Sequence, residues 1–406
     1  MPRFEPFAAL RYQPARVDLA DVVAPPYDVI GPEDRARLEA RSPYNAVRVE
    51  LSREDPSRNR YDAARGQLDR WIADGALAPD GAPAFYIYAM GWRDPDGHPH
   101  QTTGVLGALE LDAARTGAVL PHERTMAKPM DDRLRLLRAC RVNLSPIWSL
   151  SLAPDLGALL QPAGGPLARC TDDDGTHHRL WRVASPAVVD AVAAAVGSAP
   201  AVIADGHHRY ETALAYREER RAANGNAPGD YDLTLAYVTP LVGAELGVRP
   251  IHRMVADLPD DFPLLDALSG WFAVEPAPAG LAPEDLPERM AESGALGLVL
   301  PRRSCLLRPR ARPNGDAATA GDELADSELL ETALGALPAH RLAYHPDVAH
   351  VAALVDKGEA QAGVLLRPAT VGQIAAAARA GRRLPQKTTF FYPKPRTGMA
   401  FRVLHA

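Results

Sequence analysis

The sequence predicts an α/β (α+β) protein with a second lobe toward the C-terminus. Three observations predict it. Between Ser145 and Arg220, short apolar runs alternate with stretches of helical periodicity, the pattern of a sheet layered against helices. Phe85–Trp92 and Thr102–Leu111 are strand-like and flank the turn-forming Asp94-Pro95-Asp96-Gly97, which predicts a β-hairpin. Pro276–Pro287 and Arg308–Asp322 are rich in Pro, Ala, Gly and acidic residues, which marks surface loops or linkers. The expected organisation is a core with N-terminal elaboration over 1–255, an accessory lobe over 256–383, and a strand segment over 384–406 that returns to the core.

Taken in order, Val22-Val23-Ala24 is an apolar run stopped by Pro25-Pro26, which forbid helix continuation and predict a strand entering a stiff loop. Helical patterns follow at Pro32–Arg41 and Tyr61–Asp74, the second ended by Gly75. After the hairpin, a helix is expected near Asp132–Arg141, then strands at Ser145–Leu152 and Leu180–Val183 and a helix at Pro186–Val196. Ala201–Ala204 suits a buried strand, Asp205-Gly206 is a turn signal, and Arg209–Arg220 has helical spacing. In the second lobe, Gly297–Leu300 and Ser304–Leu307 suggest a hairpin, and Ser327–Leu334 and Val371–Gly381 suggest helices.

Composition narrows the function classes. The chain has 406 residues with a net charge of −6, so no global basic field draws it to nucleic acid. No apolar run reaches the roughly 20 residues needed to span a bilayer, and the N-terminus lacks a secretory pattern, so the expectation is a cytoplasmic protein without membrane partners. Cys140, Cys170 and Cys305 are an odd count without metal-ligand spacing, which argues against a disulfide framework or zinc cluster. Lysine occurs only at 128, 357, 387 and 394, and three of the four fall inside motif-bearing segments. An ammonium is a compact point charge that arginine's planar fork does not replace.

The Asp205–Arg209 turn places Asp205, Gly206, His207, His208 and Arg209 where a buried strand becomes a helix. The first amides of a helix lack intrahelical acceptors and together carry about half a positive charge, so a phosphate is favoured there. Two other readings stay open: a polar network of Arg209 and one of the histidines near the helix start with Asp205 as N-cap, and a metal site using Asp205 and His208. The segment from His122 to Arg133 gathers His122, Glu123, Thr125, Lys128, Asp132 and Arg133, a density that suits an active-site loop. Phosphoryl transfer needs cations against the phosphate oxygens, carboxylates for Mg2+ and a base for the accepting hydroxyl. Glu123 or Asp132 could hold Mg2+ or act as base, with Lys128 and Arg133 as the cations; a solvated charged turn is the alternative. Tyr27 and Asp28, on the stiff Pro25-Pro26 loop, and His122 and Thr125 are candidate substrate contacts. Lys387 and Thr388 are candidate phosphate contacts near the end of the chain. The common Gly-rich nucleotide motifs are missing, so a nucleotide would be held by another architecture.

Several of these segments together resemble the family called domain of unknown function 1015. They are Val23–Val29 (VAPPYDV), His122–Thr125 (HERT) with Asp132-Arg133, Asn143–Ile147 (NLSPI), Ala204–Thr212 (ADGHHRYET), Pro250–Arg253 (PIHR) and Leu384–Pro395 (LPQKTTFFYPKP). More distantly, Asp205–Arg209 is similar to the phosphate-contacting turn of the ParB and sulfiredoxin superfamily, which includes chromosome-partition clamps, sulfiredoxins and kinases of free serine. The resemblance implies a ParB-like mixed-sheet core and a nucleotide ligand (ATP, ADP or CTP). The chain lacks an obvious helix-turn-helix, and His208 stands where a sulfiredoxin turn carries its cysteine. That leaves a small-molecule phosphotransferase, acting on a hydroxyl compound such as free serine, ahead of a nucleotide-binding regulatory protein without turnover. In this reading His208, Glu123, Asp132 and Lys128 are the catalytic candidates. The expected partners are a nucleotide and a small-molecule substrate, with a homo-oligomer left open.

Overall fold

The computed structural model describes residues 1–54, 59–94, 97–121, 127–242, 245–310, 325–382, 384–385 and 387–405. The fold is mixed α/β, and the chain divides into two compact units. Of the described residues, those of 1–246 and 393–405 make up the first and those of 247–392 the second.

The first unit is built on a mixed sheet of nine strands. In chain order they are β1 (Phe4–Glu5), β2 (Phe85–Arg93), β3 (Pro99–Glu110), β4 (Val119–Pro121), β5 (Ile147–Ser151), β6 (Ala168–Thr171), β7 (His177–Val183), β8 (Ala201–Asp205) and β9 (Leu233–Pro240). Across the sheet the order is β4-β8-β5-β9-β3-β2-β7-β6, with β1 paired on β3. Only β4/β8 and β5/β9 are parallel pairs within it; the hairpin β2–β3 forms as its turn residues predict. Its helices include α1 (Pro32–Arg41), α2 (Arg60–Ala73), α3 (Ala127–Cys140), α4 (Pro186–Gly197) and α5 (His207–Ala223).

Two large hydrophobic clusters support this unit, beside a small one of Leu137, Tyr216, Tyr231 and Leu404. One joins Phe85, Ile87, Val105, Ile147, Ile203 and Val238 of the sheet to Val192 and Val196 of α4 and to Tyr210, Ala213 and Leu214 of α5. Gly107 is needed in it, because a Cβ there would lie 2.3 Å from the Phe4 ring, which stacks on Phe85. The other cluster packs Leu68 and Trp71 of α2 and Leu136 of α3 against Tyr12 and Phe401. Those aromatics come from a small antiparallel sheet ordered Leu77–Pro79, Ala9–Tyr12, Phe401–Val403 and Val142–Asn143, so the chain's last strand is built into the first unit.

The second unit holds a six-stranded antiparallel sheet ordered Phe272–Pro276, Arg303–Pro309, Leu296–Leu300, Ala362–Leu365, His252–Ala256 and Arg341–His345. Leu268, Phe272, Leu298, Leu307, Leu330 and Val364 fill part of its core. A separate ribbon pairs Gly247–Pro250 with Thr389–Tyr392. The division therefore falls at Leu246 and Pro393 rather than at 255 and 384, because both strands of that ribbon belong to the second unit. Among the described residues, no helix is long and apolar enough to cross a membrane.

One expected element differs in kind. Leu19–Val22 is a short helix whose N-terminus Asp18 caps, accepting from the Ala20 N–H at 3.0 Å, and not the start of a strand. Extended backbone begins only at Val23, Ala24 makes an isolated bridge to Thr397, and Tyr27–Val29 forms a single 3-10 turn. An apolar run of this length fits either state, and the cap decides it.

Candidate functional site

The site begins with how β8 ends. Ala201–Ala204 are all buried, as expected for an interior strand covered on both faces. The pairing of β8 with β5 slips between Ile203 and Asp205, a bulge that re-aims Asp205 at the end of the strand. Gly206 then turns the chain with φ +89° and ψ 27°, a left-handed conformation that an L side chain rarely adopts. A Cβ on it would also come within 3.0 Å of the Arg209 guanidinium, which folds back over the turn. The first intrahelical bond runs from the Tyr210 N–H to the Gly206 carbonyl at 2.9 Å, so the helix's own hydrogen-bond ladder starts at Tyr210.

Cations and carboxylates interleave around this turn. Arg209 Nη2 donates to Asp205 Oδ2 at 2.5 Å and Nη1 donates to the Pro146 carbonyl, while its Nε is buried without a hydrogen-bond partner. Lys394, from the segment that returns to this unit, pairs with Asp205 and lies 3.5 Å from Asp28. Burial alone would raise the Asp205 pKa, but Lys394 and Arg209 outweigh it and hold the carboxyl well below the usual range. Burial works against the charged Lys394 in the same way; Asp205 and Asp28 reverse that and raise its pKa. His207 is buried and His208 half-buried.

Tyr27 and Asp28 stand on the loop that Pro25-Pro26 stiffens. Asn45 staples the chain just before it, donating to the Asp21 and Val23 carbonyls at 2.7 and 3.3 Å. The Arg133 guanidinium lies 4.4 Å from the centre of the Tyr27 ring, and burial pushes the Tyr27 hydroxyl up to about 12. Arg133 also donates to the Glu50 carbonyl at 2.8 Å and to Asp132. Asp132 accepts from Tyr61 Oη at 2.9 Å and pairs with Arg60 as well. Burial opposes its charged form, yet Arg133 and these donors lower its pKa overall.

The structure therefore brings Tyr27, Asp28, Arg133, Asp205, Gly206 and Arg209 of the expected residues into one network within the first unit. Asp132 adjoins it through Arg133. Its oxygens face two guanidinium groups and a phenol, a setting that suits an anchor for Arg133 and does not fit a magnesium ligand. Among the described residues, no group of three His, Cys, Asp or Glu is placed to hold a metal. His122, Glu123 and Thr125 lie outside the described residues, and Lys128 falls in the first turn of α3. Lys387 and Thr388 belong to the second unit, where the Lys387 carbonyl accepts from Arg253 and the buried Thr388 hydroxyl contacts Ser327 Oγ at 3.0 Å and the Pro385 carbonyl at 2.7 Å.

Two members of the network were not among the expected site residues. Lys394 was visible as one of four lysines, inside the Leu384–Pro395 motif, but its partner Asp205 is 189 residues away in sequence. Glu50, 3% exposed at the end of the short helix Val47–Glu50, has Oε2 buried without a hydrogen-bond partner and Oε1 3.6 Å from Arg133; burial raises its pKa. A charged residue at that position gives no signal until its burial is seen.

The family described as protein of unknown function (DUF1015) matches over residues 4–358. This chain belongs to the DUF1015 family. No curated protein matches the sequence. Among solved structures, a conserved hypothetical protein from Pyrococcus furiosus is similar at 14% identity, covering 74% of this chain and 95% of that one with a TM-score of 0.39. A free serine kinase in complex with AMP is similar at 13% identity, covering 74% and 91% with a TM-score of 0.39. SbnI from Staphylococcus aureus, truncated at its C-terminus, is similar at 11% identity, covering 72% and 85% with a TM-score of 0.36.

Proposed function

We propose that this DUF1015 protein binds a nucleotide at the Gly206 turn and transfers a phosphoryl group between it and a small hydroxyl compound, free serine being the first candidate. The observation that carries the reading is the turn itself: a left-handed glycine at the head of a long helix, with Arg209 and Lys394 converging on Asp205 beside it. Helix amides and two cations favour phosphate oxygens, and Arg209 Nε, buried without a partner, is a donor in reserve. Arg133 and Tyr27 form the neighbouring wall, with Glu123 assigned as the base that orients the accepting hydroxyl. Lys128 is assigned to developing charge, and His207 and His208 to further phosphate contacts; His122 and Thr125 are assigned to the acceptor. Magnesium enters with the nucleotide's phosphates rather than through Asp132. Incubating the protein with ATP, ADP or CTP and with serine or other small alcohols tests the reading. A phosphorylated acceptor is expected, and its absence in every combination removes the transferase.

A second reading rests on Asp205. Its carboxylate already pairs with both Arg209 and Lys394, so an arriving phosphate competes with an internal anion for both cations. That exchange is how a nucleotide-responsive switch without turnover would work. Ligand-dependent stabilisation with no product formed would select it.

A further inference from the structure

Lys394 reaches the turn from a stretch of chain that is neither strand nor helix. Something else must hold it in place. Pro393 and Pro395 flank it and restrict its backbone, and Thr397 bridges Ala24 through paired backbone bonds of 2.8 and 3.0 Å. Thr397 Oγ1 also contacts Ser145 Oγ at 2.6 Å. Between these lies Arg396, buried at 9% exposure, and it closes a ring of polar contacts.

The Arg396 N–H donates to Tyr88 Oη at 3.2 Å, and Tyr88 Oη lies 2.7 Å from His178 Nδ1. His178 Nε2 lies 2.8 Å from Asp172 Oδ2, which also accepts from Arg396 Nε at 2.8 Å. Arg396 Nη2 reaches Asp174 at 3.1 Å as well. One tautomer satisfies the ring: Tyr88 accepts from the Arg396 amide and gives its hydrogen to Nδ1, so Nε2 carries the imidazole proton and donates it to Asp172. Burial keeps the His178 pKa low, consistent with that neutral form, while His178 and Arg396 overcome burial to hold Asp172 ionised. Tyr88 and His178 are wholly buried, on the adjacent strands β2 and β7. A fully satisfied buried network is rigid. It fixes the backbone two residues from Lys394, with a proline between.

We propose that Arg396, held by Asp172, His178 and Tyr88, is a positioning residue for Lys394, and through it sets how strongly the Gly206 turn binds phosphate. The inference rests on the phosphate site proposed above. It implies that affinity at the turn is controlled from the β6–β7 hairpin, by residues that touch no ligand.

A double-mutant cycle tests it, with ADP and inorganic pyrophosphate as probes and dissociation constants as the readout. Lys394→Met and Arg396→Gln are each expected to weaken ADP binding at least about 10-fold, the scale of one lost charge-assisted contact. The double variant should bind no more than about 2-fold more weakly than Lys394→Met alone, since Arg396 then has nothing left to position. Tyr88→Phe, a milder change that removes only the hydroxyl, should weaken binding roughly 3- to 10-fold in the native background and have no effect in the Lys394→Met background. A purely structural role would weaken binding in both backgrounds, so losses that multiply overturn the positioning role while leaving the phosphate site standing. A native protein that binds neither probe overturns both. If Arg396→Gln does not fold, the Tyr88→Phe pair decides.

Discussion

Replacing Asp205 with Asn separates a phosphate site from a purely structural ion network, because the two predict opposite responses to ligand. Asn keeps the shape and removes the charge. In the native chain the Asp205 side chain is only 14% exposed, accepts from Arg209 at 2.5 Å and pairs with Lys394. Removing one member of a buried ion pair costs about 3–5 kcal/mol. Here Arg209 keeps the Pro146 carbonyl and Lys394 keeps Asp28, so the lower end, about 3 kcal/mol, is expected. At roughly 2–4 °C per kcal/mol for a domain of this size, the midpoint should fall by about 6–12 °C. A phosphate then supplies the missing negative charge and no longer meets the carboxylate. A unit charge about 6 Å away at an effective dielectric of about 20 is worth roughly 3 kcal/mol, so binding should tighten at least tenfold. The assay is thermal melting of native and Asp205→Asn protein across an ADP titration, with sodium chloride at matched ionic strength as control. A variant that melts lower but gains no more from ADP than the native protein refutes the phosphate site and leaves the network as scaffold.

Three further outcomes follow from the same contacts. Gly206→Ala places a side chain at φ +89° and a Cβ 3.0 Å from Arg209, so a stability loss of about 1–2 kcal/mol, with weaker ADP binding, should appear in urea melts and titrations. Asp112→Ala strips the acceptor for the N–H groups of Thr116, Gly117 and Ala118 at 2.8–2.9 Å, on the loop that enters β4, and should cost about 2–3 kcal/mol by denaturant midpoint. In the second unit, burial lowers His252 to about 4, and its Nδ1 accepts from the Leu366 N–H at 3.2 Å. The unfolded chain therefore takes up the proton first: the contribution is intact above about pH 6.5 and is lost as pH falls toward 4, and the loss reaches about 2 kcal/mol by pH 5. His252→Asn should remove that slope from the pH dependence of unfolding.

Local order was legible in the sequence wherever a signal and its partner lie close together. The β2–β3 hairpin, α1 with its early proline, α4, and the step from β8 into α5 all carry their own turn, cap or period. What was not legible depends on distant partners. β9 is buried along its whole length and lies between β5 and β3, yet Leu233–Pro240 shows no alternation to mark a strand, because both faces are covered. The Gly247–Pro250 ribbon strand takes its partner from Thr389–Tyr392, so no change of composition announces the unit boundary at Leu246. For the candidate site the same division holds. The Gly206 turn could be read from its residues, since a left-handed glycine before a helix is a local event. Lys394, Glu50 and the Pro146 carbonyl enter only because the fold carries separate segments to one place.

The most direct measurement is nucleotide-dependent stabilisation of the native protein beside Arg209→Ala. With ATP, ADP or CTP at about 100 times its dissociation constant, the native chain should gain about 2.7 kcal/mol, and Arg209→Ala should gain little or nothing at the same concentration. If none of the three nucleotides raises the native midpoint, or if the variant is stabilised equally, the Gly206 turn is not a phosphate site.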